Sequence, residues 1–391
     1  MTNKQKAIPE LRFSGFENEW EKKNLGDISK SAMYGIGASA IDFDFQNVYI
    51  RITDIDENTR KLKKQNFTSP NEIDKKYLVK KNDILFARTG ASTGKSYIHK
   101  DFTTNYNYYF AGFLIKFEIN ENNISSFVYQ NTLTKKYLNW VSVMSVRSGQ
   151  PGINSEEYSK LPIFLPTKFE QQKIGDFFSK LDQQIELEEK KLAKLEEQKK
   201  GYMQKIFSQE IRFKDDNGND YPEWKSKKFL DIFKLAPSKN NQIKSSEVVE
   251  NGIIPVVDQG KDIFLGYSNE KDKAIEDFDN VIVYGDHTTI IKYIKEPFII
   301  GGDGVKLLES NDGSLIHYLY ILLQYFNVKP EGYKRHYSIL KNKMMNISNT
   351  KEEQEKIGNF FTKFDELIEK QNRKIDGLKK RKKGFLQKMF I

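Results

Sequence analysis

The chain has 391 residues, too many for one ordinary compact core, so we expect two or three domains. Its 63 Lys and Arg residues exceed its 54 Asp and Glu residues, and the net charge of +9 favours a polyanionic partner. The lack of Cys and the four scattered His residues exclude disulfides, thiolate metal sites and structural zinc. Neither an apolar run of about 18 residues nor an apolar stretch in the first residues is present, so we expect a cytoplasmic protein without a membrane segment.

One long segment of the sequence occurs twice. The run EQQKIGDFFSKLDQQIE matches EQEKIGNFFTKFDELIE at a single ungapped shift, called here the repeat shift, which takes Glu170 to Glu353. The match continues to KKGYMQKIF, ending at Phe207, and KKGFLQKMF, ending at Phe390. A weaker repeat pairs ELRF and EWEKKNLGDI with EIRF and EWKSKKFLDI. The chain is therefore an internal duplication.

The duplication divides the chain into six predicted segments. In chain order these are an N-terminal arm at 1–17, a variable block at 18–168, a long helix at 169–208, a linker at 209–221, a second variable block at 222–351 and a second long helix at 352–391. The blocks contain short β-rich runs such as NDILFARTG and EPFIIGGDGVKLL, separated by Asn, Asp and Gly turns, and each ends in a short helix. We predict two mixed α/β domains that share one topology.

Both long helices show the pattern of a coiled-coil seam. They lack proline, and their apolar residues recur in steps of three and four. An ordinary amphipathic surface helix is the alternative, but two like halves close best about a pseudo-twofold axis, so we predict that the helices pair in antiparallel orientation. The predicted seam residues are Phe178, Leu181, Ile185, Leu192 and Leu195, with Phe361, Phe364, Ile368, Ile375 and Leu378 in the second copy.

The same symmetry predicts two further features. Polar seam positions should meet, with Glu188 opposite Lys382 and Lys199 opposite Gln371. The second helix should end beside the N-terminal arm, which places Ile391 near residues 8–13.

The segment GASTGKS suggests a phosphate-binding loop, but its spacing does not fit one. A P-loop has four residues between its glycines, whereas three separate Gly90 from Gly94. The sequence also lacks a Gly-rich strand-to-helix turn and a methyl-transfer tetrad of the Asn-Pro-Pro kind, so we expect no catalysis. The segment is instead predicted to be a turn after a strand, offering four side chains for phosphate or base contacts: Arg88, Thr89, Lys95 and Ser96.

Several predicted loops combine polar and aromatic residues, which together can read base edges and pack against sugars or thymine methyl groups. For any single residue, a solvated loop or a core tyrosine is the alternative interpretation. The pair Asp286 and His287 has no accompanying nucleophile, which disfavours a catalytic dyad. The candidate DNA-binding residues are Asn105, Tyr106, Asn107, Tyr108, Tyr109, Arg147, Ser148, Gln150 and Asn154 in the first block, and Asp286, His287, Thr288, Thr289, Tyr333, Lys334, Arg335, His336 and Tyr337 in the second.

The chain resembles the specificity subunit of type I restriction-modification systems over essentially its whole length. The resemblance rests on ELRFSGFENEW, NDILFARTGASTGK, SGQPGIN, LPTKFEQQKIGDFFSKLD and the duplicated helices. The second copy departs from the pattern, because no QPG follows Gly332 and MNISNTK replaces the Leu-Pro segment before the helix.

The resemblance implies an α+β architecture in which two target-recognition domains are separated by two long helices that form an antiparallel coiled coil. It also implies a chain that reads a bipartite, gapped sequence in double-stranded DNA and docks two methyltransferase subunits and two restriction subunits with motor and nuclease activity. S-adenosylmethionine, ATP and Mg²⁺ would be bound by those partners and none by this chain. The alternative function is a two-domain coiled-coil adaptor that binds protein or RNA.

Overall fold

The computed structural model describes residues 7–57, 59–63, 65, 67–100, 106–332 and 334–391. The chain forms two compact units: the residues up to Glu189 together with Lys374–Ile391, and Lys190–Arg373. Each unit therefore contains one variable block and one stretch of each long helix. No helix in the described part of the chain is both long enough and apolar enough to cross a bilayer.

The first domain is a mixed α/β fold. Its strands are β1 (Glu21–Asn24), β2 (Ser29–Tyr34), β3 (Ala40–Asp42), β4 (Asn47–Ile50), β5 (Thr68–Pro70), β6 (Ile84–Ala87), β7 (Ser96–Ile98), β8 (Asn107–Phe110), β9 (Leu114–Ile119) and β10 (Pro162–Leu165). Its helices are α1 (Ser125–Asn131), α2 (Lys135–Met144) and α3 (Ser155–Ser159), followed by the long helix α4 (Lys168–Phe207).

The second domain is also a mixed α/β fold with a related order of strands. Its elements are β11 (Lys225–Lys228), α5 (Phe229–Ile232), β12 (Phe233–Leu235), β13 (Gln242–Ile243), β14 (Ile254–Val257), β15 (Gly266–Ser268), β16 (Ile282–Gly285), β17 (Ile291–Lys292), β18 (Ile299–Gly301), β19 (Val305–Ser310), α6 (Ile316–Phe326), α7 (Tyr337–Leu340) and β20 (Met344–Ile347), followed by the long helix α8 (Lys351–Met389).

The two domains share most of their strand pairing, although the parallel pair stands alone in the first domain and belongs to the four-stranded sheet β13-β18-β14-β15 in the second. The four-stranded sheet has the order β2-β9-β6-β7 in the first domain and β12-β19-β16-β17 in the second. Each domain also contains a parallel pair, β4 with β8 and β14 with β18, and an antiparallel pair that joins its first and last strands, β1 with β10 and β11 with β20. The predicted common topology of the two blocks is confirmed.

The long helices pair with each other in antiparallel orientation within each unit, as predicted. In the first unit the rings of Phe177 and Phe385 lie 5.0 Å apart, and in the second the rings of Tyr202 and Phe360 lie 5.3 Å apart. The aromatic residue near the start of one helix thus meets the end of the other. All ten predicted seam residues are buried or half-buried.

The predicted polar contacts of the seam are wrong. Lys382 Nζ lies 2.6 Å from Asp182 Oδ1 instead of facing Glu188, and Glu188 pairs with Lys374 at 2.9 Å. Lys199 Nζ likewise lies 2.6 Å from Asp365 Oδ1 instead of facing Gln371. The observed register also brings Phe177 to Phe385 and Tyr202 to Phe360, and burial of apolar surface stabilises such a seam. The repeat shift relates Asp182 to Asp365 and Lys199 to Lys382, so one ion pair occurs once in each unit.

The end of a long helix completes the core of each domain. Phe390 packs against Trp20 and Phe127, with ring centroids 6.3 and 5.2 Å away. Phe207 packs in the same way against Trp224 and Tyr318 at 5.9 and 6.3 Å. These contacts explain why the tryptophans and the helix ends belong to the repeated parts of the sequence.

The N-terminal arm lies beside the end of α8, as predicted. The Leu11 N–H donates a hydrogen bond of 2.8 Å to the Lys388 carbonyl, and Phe13 and Ile391 pack on the same core. In the second unit the Ile211 N–H donates to the Lys205 carbonyl at 3.1 Å. The repeat therefore preserves this backbone contact.

The repeated ELRF and EIRF motifs anchor the starts of the long helices. The Arg12 guanidinium donates to both carboxylate oxygens of Glu170 at 2.7 and 2.8 Å, and this carboxylate is fully buried. Arg212 makes the equivalent contact with Glu353, which also accepts a hydrogen bond of 2.8 Å from the Trp224 indole. A buried carboxylate needs such partners, because an unpaired charge in the core is costly.

Glycine allows a close approach where each domain helix crosses its long helix. A Cβ atom at Gly175 would lie 2.3 Å from the Ser126 hydroxyl, and one at Gly358 would lie 2.0 Å from the His317 ring. Both glycines belong to the repeated KIG motif. The close approach therefore accounts for this part of the repeat.

Burial of His317 should make the stability of the chain pH-dependent. Burial lowers the pKa of His317, and its Nε2 has no hydrogen-bond partner among the described residues. Because the folded state disfavours the protonated ring, the free energy of unfolding should fall as the pH drops below about 6.5, where the unfolded chain takes up the proton. The variant His317→Ser, which copies Ser126, should lose part of this pH dependence. Urea unfolding of the wild-type chain and the variant at about pH 7.5 and 5.5 measures this difference. If the free energy of unfolding fell equally in both chains between the two pH values, the prediction would be contradicted.

The repeated ion pair should stabilise the coiled coil measurably. Lys382 and Asp182 are only 17% and 30% exposed, so a double-mutant cycle with Lys382→Met and Asp182→Asn should show a coupling of about 0.5–1 kcal/mol in the free energy of unfolding. The control pair is Lys30 and Glu121, whose atoms lie 2.8 Å apart but whose side chains are 49% and 74% exposed. A coupling no larger than that of the control would contradict the prediction.

Candidate nucleic-acid interface

In the first domain, one loop lies directly on the turn that follows the central strand β6. The Gly90 N–H donates to the Pro151 carbonyl at 2.9 Å, and the Ile153 N–H donates to the Arg88 carbonyl at 2.9 Å. Gly90 has a φ of +75°, which favours glycine. Residues 88–94 and 147–154 therefore form a single surface, called here the first recognition surface.

The second domain contains the equivalent contact with different side chains. The His336 N–H donates to the Asp286 carbonyl at 2.8 Å, and the repeat shift takes Ile153 to His336. The His336 ring is fully buried: its Nδ1 donates to the same carbonyl at 3.0 Å, and its Nε2 accepts from the Glu331 N–H at 2.9 Å. We call residues 286–289 with 331–337, apart from the undescribed residue 333, the second recognition surface.

Two of the candidate side chains on the first recognition surface already have protein partners. The Arg147 guanidinium donates to both oxygens of Glu157 at 2.5 and 2.6 Å. The Asn154 side chain accepts from the Glu157 N–H at 2.8 Å and caps α3. Ser148 and Gln150 are exposed. The polar groups most available to a ligand are therefore those of the Ser-Gly-Gln segment.

Arg88 is held close to the domain. Its guanidinium lies 4.8 Å from the centre of the Tyr34 ring, an arrangement typical of a cation–π contact. The Tyr34 hydroxyl accepts a hydrogen bond of 3.0 Å from the Ser155 N–H, which fixes the ring. Arg88 and Thr89 are half-buried, so they border the surface.

The second recognition surface presents basic groups. Lys334 and Arg335 are exposed, and the Arg335 side chain has no hydrogen bond or ion pair with any residue that the structure describes. The His287 Nδ1 donates to the Lys334 carbonyl at 3.1 Å. Thr289 adopts φ +60°, which is rare for a β-branched residue, and its carbonyl accepts from the Asn327 amide at 2.7 Å. Such backbone strain is found most often at functional sites.

A family model described as the type I restriction modification DNA specificity domain matches residues 17–197 and 221–380. The chain belongs to this family. The type I restriction enzyme MjaVIII specificity subunit of Methanocaldococcus jannaschii is 24% identical over 255 residues, which are 64% of this chain and 57% of that protein. The match thus spans little more than half the length of this curated relative.

Two solved structures share the fold. The crystal structure of a type I restriction-modification system S subunit from M. genitalium has a TM-score of 0.64 at 16% identity and covers 98% of this chain and 99% of that one. A structure reported for complex assembly and conformational transition of the type I R-M system has a TM-score of 0.50 at 16% identity, with 97% and 99% covered. The predicted fold class, including the internal duplication, is confirmed.

Several candidates for DNA contact in this specificity-domain chain lie inside the protein. Tyr108 and Tyr109 are 3% exposed because they belong to strand β8 and not to a loop. The Ser96 hydroxyl is buried against Thr132 at 2.7 Å, and the Lys95 ammonium is buried beside the Ile55 carbonyl and Glu57. Their burial leaves no surface for a nucleic acid, so they do not belong to the interface.

The remaining candidates are divided between core and surface. Tyr106 packs on Phe43 with ring centroids 5.3 Å apart, while Asn107 is exposed at the start of β8. In the second domain, Asp286 and His336 are buried and hold the loop. Thr289 is buried, Thr288 is half-buried, and burial with the nearby Asp286 carboxylate raises the pKa of the half-buried Tyr337. Asn105 and Tyr333 lie outside the described residues.

Gln259 is a polar residue of the second recognition surface's surroundings that was not among the candidates predicted from the sequence. Its Oε1 accepts from the His287 N–H at 3.1 Å, and its carbonyl accepts from the Thr288 hydroxyl at 2.6 Å. It follows the buried strand β14 in the segment IPVVDQG. The rule that identified the turn after NDILFARTG, polar residues after a buried strand, would have found it.

Removal of the His336 ring should release the second recognition surface. His336→Ala loses both ring hydrogen bonds and, at about 1–3 kcal/mol for each buried group left unpaired, should favour local unfolding of the loop that carries the exposed Lys334 and Arg335. Tryptic cleavage there should accelerate tenfold or more in the folded chain. Ser338→Ala, which removes only the exposed hydrogen bond from Ser338 to the Arg335 carbonyl, is the control. Equal cleavage rates in the two variants would refute this role of His336.

Proposed function

We propose that the chain reads a bipartite, gapped sequence in double-stranded DNA for a type I restriction-modification complex, with one half-site for each domain. One observation carries the proposal: the two domains build the same surface from a turn and a loop and present different polar side chains on it. Ser148 and Gln150 occupy this surface in the first domain, whereas His287, Lys334 and Arg335 occupy it in the second. Amides, hydroxyls and basic groups are the side chains that read base edges and bind phosphates.

The chemistry of modification and cleavage is assigned to partner subunits. Two methyltransferase subunits would bind S-adenosylmethionine, and two restriction subunits would bind ATP and Mg²⁺, in the cytoplasm where the DNA is found. The family match supports this assignment, because it covers a DNA specificity domain in both halves of the chain. The same match disfavours the alternative of an adaptor for protein or RNA.

Exchange of the first domain tests whether each domain recognises one half-site. The full chain is produced with its methyltransferase partners, and methylated adenines are mapped in genomic DNA. When residues 18–168 are replaced by the equivalent domain of another family member, we expect one half of the methylated sequence to change and the other to persist. A change in both halves, or methylation without a gapped sequence, would overturn the proposal.

Loss of Arg335 should weaken DNA binding more than loss of Arg147. Arg335 is exposed and unpaired among the described residues, whereas Arg147 is bound by Glu157 and must release it to reach a ligand. Arg335→Ala should cost about 1–3 kcal/mol and relax one position of the second half-site if it contacts a base. Fluorescence anisotropy with the methylated sequence measures both variants. A larger loss for Arg147→Ala would contradict this ranking.

A further inference from the structure

Helix α2 packs on the first recognition surface. The Tyr137 hydroxyl donates to the Gly94 carbonyl at 2.7 Å, and a Cβ atom at Gly94 would lie 2.4 Å from the Val141 side chain. At its other end the helix is tied to the loop, since the Gly152 N–H donates to the Ser145 carbonyl at 3.1 Å. One face of α2 is thus fixed to the turn and loop, and the opposite face is free of the domain.

The opposite face of α2 carries polar, basic and apolar side chains that are exposed. Val143 in the last turn of the helix and Val146, two residues beyond its end at Met144, are 72% and 71% exposed. The other exposed residues of the face, at helical spacing, are Lys135, Lys136, Leu138, Asn139 and Ser142.

The charge of this region points to a polyanion. No Asp or Glu occurs between Glu121 and Glu156, although the chain has 54 of them in 391 residues. Within that stretch the basic residues are Lys135, Lys136 and Arg147. Neither lysine ammonium, nor the Asn139 amide, has a hydrogen bond or ion pair with a residue that the structure describes. The exposed residues of this helical face include no carboxylate, and a face with two lysines and no acidic group suits a phosphate backbone.

The second domain does not offer this face in its described residues. The helix α6 occupies the place of α1 and has no exposed residue, and between it and His336 the described chain contains no further helix. Among the described residues, the free helical face is therefore a property of the first domain alone.

We propose that α2 is a recognition helix that enters the major groove at the first half-site; the inference rests on the proposed function. The groove admits an α-helix, and the ten residues of α2 are about 15 Å long. Asn139 donates and accepts at a base edge, with adenine as the base that fits an amide best. Val143 and Val146 pack on thymine methyl groups, and Lys135 and Lys136 bind phosphates.

The test compares three variants in the full chain assembled with its methyltransferase partners. They are Asn139→Ala, the double variant Val143→Ala with Val146→Ala, and the double variant Lys135→Ala with Lys136→Ala. The matched controls are Ile73→Ala and Lys80→Ala, which change exposed residues of the same domain outside this face. The probes are duplexes carrying the wild-type methylated sequence and every single-base substitution in both half-sites.

Asn139→Ala should lower discrimination at one position of the first half-site about tenfold, and the valine variant should lower it at a thymine about fivefold. The lysine variant should weaken binding to all sequences and reduce the dependence on salt by about two charges. The second half-site and both controls should be unchanged. Unchanged discrimination in both the Asn139 and valine variants would overturn the inference while leaving the proposed function in place.

Two further outcomes are informative. If the valine variant binds and discriminates DNA like the wild-type chain but no longer co-purifies with the methyltransferase subunit, the face is a protein-docking site and the inference is wrong. If the wild-type complex shows no gapped sequence at all, the proposed function fails and the recognition helix fails with it.

Discussion

The structure depends on the burial of one aromatic residue from a long-helix end in the core of each domain. Phe390 fills the core beneath Trp20, and Phe207 fills the core beneath Trp224. Full burial of such a ring stabilises a fold by about 1.5–3 kcal/mol, and its loss leaves a cavity. Neither domain has a complete core without these residues. The long helices are therefore part of the domains and not connectors between finished ones, which is why each compact unit includes a stretch of both helices.

This dependence explains which residues are repeated. The matching positions are those that join domain to helix: Arg12 and Arg212 on the buried carboxylates, Gly175 and Gly358 at the close crossings. The sheets need only alternate apolar and polar residues to fold, so their side chains can diverge while strand order is kept. The repeat shift therefore aligns the helices well and the blocks poorly.

The features that could be predicted from the sequence are those that depend on the repeated positions. The duplication predicted the long helices, their antiparallel pairing and the common topology, because these follow from repeated apolar positions. It did not predict that Lys382 meets Asp182, since an apolar repeat does not by itself fix which turn of one helix faces which turn of the other. Tyr108 and Tyr109 were misplaced because an aromatic run in a buried strand resembles an aromatic loop when its partner strand β4 is unknown.

The backbone contact between loop and turn is the same in both domains, whereas the side chains around it differ. The Arg88 carbonyl accepts from Ile153 in one domain, and the Asp286 carbonyl accepts from His336 in the other. A hydrogen bond between backbone groups does not depend on the identity of the side chains. The residues next to it can therefore differ between the domains while the loop stays on the turn. The second domain stabilises its loop with a buried histidine, whereas the first uses Pro151 and a capped helix. In the first domain the loop is continuous with α2, and in the second the basic side chains of the loop itself project to solvent. Two domains thus keep one backbone framework while the side chains around it differ.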